Sequence, residues 1–189
     1  MAKDKKRDKK NEGKKSRGAG KQKHPGKDSK PGKKKRRADP DASQRVTPYL
    51  LYGDVAAALD WLTRAFGFVE FGDRFLGPDG VVQHAAMRTS ERGEVLMMGC
   101  PGPGYQNPRA LGSTTQMLYI EVEDVDSHFA RAEQAGAEVV ETPGDTFYGH
   151  RRYTVEDPEG HQWAFAQHIR DVSAEEMRQA MASESEDVG

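Results

Sequence analysis

The feature that most restricts how this chain can fold is a pattern written twice. Asp54 precedes an apolar helical stripe, Val55, Ala58, Leu59, Leu62 and Phe66, that stops at Gly67. Further on, Asp124 precedes Val125, Phe129, Ala132 and Ala135, and Gly136 follows. An aspartate at the N-cap accepts from the free amides of the first turn, and a glycine takes the left-handed conformation that ends a helix. Each helix is preceded by one β-prone segment, Thr47 to Tyr52 and Met117 to Val122, and followed by three. The first module continues with Phe68 to Phe75, Val81 to Arg88 and Glu94 to Met98; the second with Val139-Val140, Arg151 to Glu156 and His161 to His168. The reading is a tandem β-α-β-β-β repeat in an α+β fold. Neither module can bury its sheet alone, so the two together predict a shared, curved mixed sheet with the helices outside.

The last two strands are joined by Asp157-Pro158-Glu159-Gly160, in which proline presets φ at the second turn position and glycine closes the turn, so they fold back as a hairpin. The Gly- and Pro-rich run from Cys100 to Thr114 reads as a linker between modules of about residues 46–99 and 115–170, within a domain of about 46–172. In the remaining 173–189, Ser173 and Glu176 form a capping box for a short helix through about Met181, followed by an acidic tail.

Residues 1–45 have a different composition. They hold 19 Lys+Arg against 6 Asp+Glu, leaving 10 against 24 in the rest, and every lysine lies at or before Lys35. A segment with almost no apolar residues cannot offset the ordering of its backbone, so the reading is a disordered basic tail. Runs such as Lys33-Lys34-Lys35-Arg36-Arg37 suit weak, nonspecific contact with nucleic acid or another polyanion, but no aromatic residue is interleaved to stack bases. No apolar run suits a signal peptide or a membrane span, and the expected location is cytoplasmic. The single cysteine, Cys100, allows no intrachain disulfide and reads as an ordinary thiol.

The opening TPYLLYGDVAAALDWLTRAFGF, the segment VEDVDSHFARAEQAGAEVV and the ending FYGHRRYTVEDPEGHQWAF resemble the vicinal oxygen chelate superfamily of glyoxalases, extradiol dioxygenases, fosfomycin-resistance transferases and bleomycin-binding proteins. Within it they are similar to the PhnB-like branch, with its Pro-Tyr-Leu start, its His-Ala third strand and its Asp-Pro-x-Gly-His-x-Trp ending. The resemblance covers about Val46 to Met181 and implies homodimers or internally paired repeats. It does not fix an activity, since one fold hosts many chemistries.

Metal-dependent members of that superfamily place one His, Gln or Glu ligand on each of four strands. Here those positions fall on Pro48, Met98 or Gly99, Met117 and Ala164, none of which offers a donor suited to a hard divalent ion. Moving the register by one offers Thr47 or Tyr49, Gln116 or Leu118, and Trp163 or Phe165, which rebuilds nothing. His84, His150, His161 and His168 read singly as surface or hydrogen-bonded histidines, His161 as a structural residue beside the turn. No nucleophile elbow or phosphate-binding glycine loop is present. Neither a cofactor nor catalytic residues are assigned.

What remains is a pocket. Strand alternation directs Pro48, Leu50 and Tyr52, His84 and Ala86, Met117 and Tyr119, and Gln162, Ala164 and Ala166 to the concave side, with Met98 at its margin and Trp163 and Phe165 toward the helices. Arg151, matching the family's arginine after Tyr-Gly, is the expected polar anchor, and Tyr148 lies at the rim. Methionine and tyrosine walls with a few polar tips suit a small apolar or aromatic molecule. The expectation is a metal-free binding protein; the alternatives are a metal-dependent glyoxalase- or dioxygenase-type enzyme and a polyanion binder acting through the tail.

Overall fold

A computed structural model of the chain describes residues 46–186, so the expectations for residues 1–45 and for the last three residues lie outside the described part. The first module runs β1 (Tyr49–Leu51), α1 (Val55–Phe66), β2 (Val69–Glu70), β3 (Phe75–Leu76), β4 (Val82–Arg88) and β5 (Val95–Gly99). A short helix α2 (Pro108–Leu111) leads to the second: β6 (Met117–Glu121), α3 (Val125–Gln134), β7 (Glu138–Asp145), β8 (His150–Glu156) and β9 (Gln162–His168). A last helix, α4 (Ala174–Glu186), follows the reciprocal Ser173–Glu176 capping bonds and extends past Met181.

The capping logic holds at both repeats. Asp54 accepts from the amide of Ala57 and Asp124 from that of Ser127, and Gly67, at φ 75°, ends α1. The strands do not join into one sheet, as the sequence pattern had suggested. Among the described residues they form two mixed sheets, ordered β1-β5-β4-β2 with β3 also on β4, and β6-β9-β8-β7. In each, the first strand pairs in parallel with the last, and the other pairings are antiparallel. The expected strand from Phe68 to Phe75 is broken into two short pieces by Gly72, which sits at φ 79°.

The modules are joined through a shared core. Phe66, at the end of α1, packs against Trp163 and Phe165 of β9 with ring centroids 5.3 and 4.6 Å away, and Phe68 meets Trp163 at 5.7 Å. Burying each such side chain contributes about 1.5–3 kcal/mol. His128 of α3 completes the junction. Its Nε2 lies 3.2 Å from the Phe66 carbonyl and its Nδ1 within hydrogen-bonding reach of the Tyr153 hydroxyl. A carbonyl can only accept, so Nε2 carries the proton and Nδ1 accepts from Tyr153. Burial, aided by the charge of Arg131 and opposed by the bond to Phe66, pushes the His128 pKa down to about 4.

A second junction is built on Asp157, the first residue of the β8–β9 turn, which is 1% exposed. Its carboxylate accepts from the Tyr52 hydroxyl at 2.7 Å, from Trp163 Nε1 at 3.2 Å, and from the amides of Glu159 and His161 at 2.9 and 3.0 Å. His161 Nδ1 lies 3.2 Å from the same group. Burial alone would raise this carboxyl's pKa, but the hydrogen bond and charge of His161, with the Tyr52 and backbone bonds, outweigh it and hold it below the usual carboxylate range.

Both groups link proton uptake to unfolding. Each has a folded-state pKa depressed below its ordinary value, so its contribution is full above that value and is lost as pH falls toward the folded one. As pH drops from 6.5 toward 4, unfolding free energy is expected to fall by up to about 1.4 kcal/mol per pH unit, because unfolded imidazole binds a proton that folded His128 refuses. Asp157 adds a further loss at still lower pH. Urea denaturation at a series of pH values measures the slope, and His128→Gln should flatten the upper limb.

Candidate functional site

Strand alternation gives each sheet one face toward the helices and one open face. On β8 the open side carries His150, Arg152 and Thr154, and in register beside them on β9 stand His168, Ala166 and Ala164. On β6, Met117 and Tyr119 lie opposite Gln162 and Ala164 and are both more than two-fifths exposed.

At the centre of this open face is a hydrogen-bonded pair, with the Tyr119 hydroxyl 2.8 Å from His150 Nδ1. Tyr148 meets the His150 ring edge-on at 5.5 Å, and His168 stands beside it at 5.5 Å with its own Nε2 3.0 Å from Asp171. Burial, reinforced by the neighbouring Tyr148, pushes the Tyr119 pKa up to about 12. The phenol therefore keeps its proton and shares a hydrogen bond with His150 Nδ1, which leaves the ring's Nε2 as the histidine's second polar site. Arg152 is held by Glu141, which also accepts from Thr154 at 2.8 Å.

The first sheet repeats the theme. Tyr49 stands five residues before Asp54, as Tyr119 does before Asp124. Its hydroxyl lies 3.1 Å from His84 Nδ1, its ring stacks on that histidine at 5.7 Å, and Phe75 closes on the other side at 5.8 Å. Gly99, opposite His84 on β5, makes room for this ring, since a Cβ there would run into the Tyr49 hydroxyl.

The residues expected at the pocket divide accordingly. His84, Met117, Tyr119 and Gln162 lie on the open faces, Ala164 is covered between Tyr119 and Thr154, and Tyr148 stands beside His150. Three expectations are corrected. Leu50 and Tyr52 point into the core, because β1 exposes Tyr49 and Leu51 instead. Met98 is buried in the core, because β5 turns Met97 and Gly99 to the other side. Arg151 faces α3, where Asp126 at 2.9 Å and Asp145 at 2.8 Å hold its guanidinium and its charge away from the open face. Tyr49 and His150 were missed as a pair partner and a site centre; the spacing of five residues to the aspartate cap, shared by Tyr49 and Tyr119, was the signal that could have found Tyr49.

The donor set does not fit the divalent ion that the resemblance to metal-dependent members implied. Pro48, Gly99, Met117 and Ala164 bring no hard donor, and among the described residues no group of three or more His, Cys, Asp or Glu side chains is placed to hold a metal. Cavities adjoin the open faces. One groove of about 520 Å³ runs past Pro48, Leu96, Met117 and Tyr119, and another of about 400 Å³ is lined by Arg109, Glu156 and Gln162.

Sheet order and paired modules agree with what comparison finds. The family model described as Glyoxalase/Bleomycin resistance protein/Dioxygenase superfamily matches residues 44–165, and the chain belongs to that superfamily. It is similar to the uncharacterised protein Rv0887c of Mycobacterium tuberculosis, 38% identical over 144 residues that span 75% of this chain and 84% of the relative. Mb0911c of Mycobacterium bovis shares the same 38% identity, with 94% of its length covered. Among solved structures, TioX from Micromonospora sp. ML1 is 36% identical, with a TM-score of 0.55 over 67% of this chain and all of its own. The fosfomycin resistance protein FosX of Listeria monocytogenes, at 13% identity and a TM-score of 0.50 over 71% of this chain and 98% of its own, shares the fold alone.

The geometry of the Tyr148 loop rests on one residue. Gly149 has φ 88°, and a Cβ there would fall on the Arg170 carbonyl oxygen. Gly149→Ala is therefore expected to cost clearly more than the roughly 1–2 kcal/mol of a left-handed non-glycine residue. Gly72→Ala, at φ 79° with nothing nearby, should show the backbone cost alone. Urea midpoints of the two variants make the comparison.

Proposed function

We propose that this protein binds a small apolar or aromatic molecule against the open faces of its sheets, without using a divalent metal. The observation that carries the reading is the Tyr119–His150 pair with Tyr148 at its side, matched on the first sheet by Tyr49 and His84. Exposed aromatic rings offer stacking surface, the second ring nitrogen of the histidine a directional hydrogen-bonding site, and Met117 an adaptable wall. Sequestration of a harmful compound, the role implied by the words bleomycin resistance in the family's description, suits such a site better than chemistry that needs a Lewis acid.

The proposal extends to finer points. The Pro48-Tyr49-Leu50 start and the Asp157-Pro158-Glu159-Gly160-His161 turn support placement in the PhnB-like branch. Tyr49, Phe75, Leu76, Met117 and Tyr119 are large apolar side chains left exposed, which supports a homodimer in which a second copy covers some of them. Among the described residues no helix is long and apolar enough to cross a membrane, and we place the protein in the cytoplasm. The 19 Lys+Arg of residues 1–45 support a separate, weak attraction to polyanions.

A thermal-shift screen tests the central reading. An aromatic ligand at 100 times its dissociation constant should add about 2.7 kcal/mol of stability. Zn, Ni, Mn, Fe and Mg ions should add nothing, and His150→Ala should abolish the ligand's shift while leaving the protein folded. A shift with metal and none with organic compounds would instead support the enzyme reading.

A further inference from the structure

Among the described strands, β6 is the one edge left without protection. Sheet edges present unpaired N–H and C=O groups, and proteins blunt them with proline, basic residues, bulges or brevity. Here β2 and β3 are two residues long each. At β1 the strand is three residues long, starts behind Pro48, and has its Leu51 carbonyl taken by the Tyr105 hydroxyl at 2.7 Å. At β7 two register shifts and Pro143 break the ladder. By contrast β6, Met-Leu-Tyr-Ile-Glu, has five residues in unbroken register with β9 on one side, and no proline, lysine or arginine.

The groove of about 520 Å³ touches all five of these residues in succession. Since alternate side chains point to opposite faces of a sheet, a cavity in contact with five consecutive residues follows the strand's edge and not one face. Its wall is apolar at Pro48, Leu96, Met117 and Ile120, and among the described residues that line it the ionisable carboxyls are Glu94 and Glu121, with no basic side chain.

We propose that this edge is a strand-addition site for an extended peptide carrying Lys or Arg side chains. The peptide's backbone would extend the second sheet through β6, and its basic side chains would meet Glu94 and Glu121. Charge selects this occupant over a second copy of the same domain, because from Val46 onward the chain carries 24 Asp+Glu against 10 Arg. The site uses the edge of the sheet, and shares Met117 and Tyr119 with the small-molecule reading of the open faces.

Fluorescence anisotropy on the full-length protein tests it with three labelled peptides of about eight residues: alternating Arg and Val, alternating Glu and Val, and the Arg/Val peptide N-methylated at every residue. The Arg/Val peptide should bind, and the other two should bind at least about tenfold more weakly. The double variant Glu94→Lys, Glu121→Lys, its fold checked by thermal unfolding, should reverse the preference between the Arg and Glu peptides. Undiminished binding of the N-methylated peptide would overturn strand addition, and equal binding of both charges would overturn the basic partner. No binding of any peptide up to about 1 mM overturns the proposal outright.

Discussion

The carboxylate of Asp157 is the interaction on which the rest of the structure depends. A charge this deeply buried costs several kcal/mol unless its lone pairs are filled, and here they are filled by groups from distant parts of the chain. Tyr52 brings the first module to it, Trp163 brings the aromatic core, and its own turn supplies two amides. Around it the neighbouring residues of the turn are held as well. Glu159 accepts from Gly53 and Asn107, and Arg109 donates to the carbonyls of Pro158 and Asp157. One turn thus fixes the start of α1, the linker helix and the final hairpin, and among the described residues no buried side-chain nitrogen or oxygen is left unpartnered.

With the backs of both sheets committed to this core, function is left to the opposite faces. Their polar groups come in tyrosine–histidine pairs at corresponding places in the two modules, one beside Phe75 and one beside Tyr148. Such pairs hold aromatic surface in place while leaving the second ring nitrogen of each histidine for a hydrogen bond, which suits recognition. The four strand positions at which a metal-dependent relative would need hard donors are different ones, Pro48, Gly99, Met117 and Ala164, and they bring none. The basic and acidic side chains close to the site, Arg152 with Glu141 and Arg151 with Asp126, neutralise each other before any ligand arrives.

Much of this was legible in the sequence, for physical reasons. The helices could be read because a capping aspartate, an apolar stripe and a closing glycine are local signals that agree. The closing hairpin could be read because proline and glycine leave its turn few alternatives. The facing of β1 could not be read, because a strand of three residues behind a proline carries too little alternation to choose a face, and Tyr49 and Tyr52 are equally plausible as exposed. Nor could the side taken by Arg151 as against Arg152, which depends on Asp126 arriving from α3. Helix α2 was hidden in a Gly- and Pro-rich run although Asn107-Pro108 is a good start signal, with proline where its missing amide does no harm. Separation into two sheets is a tertiary outcome: the aromatic contact of Phe66 with Trp163 and Phe165, not a ladder between β1 and β6, unites the modules.

That contact sets how the gene can be shortened. The rings that cover Phe66 and Phe68 are encoded at positions 163 and 165, close to the end of the domain, although the helix they cover is made first. A reading frame that stops before them yields no half-protein with half the binding capacity. It yields a helix with its aromatic side bare and a tyrosine, Tyr52, with no carboxylate to meet, so the two copies of the pattern, however alike, survive or vanish as one.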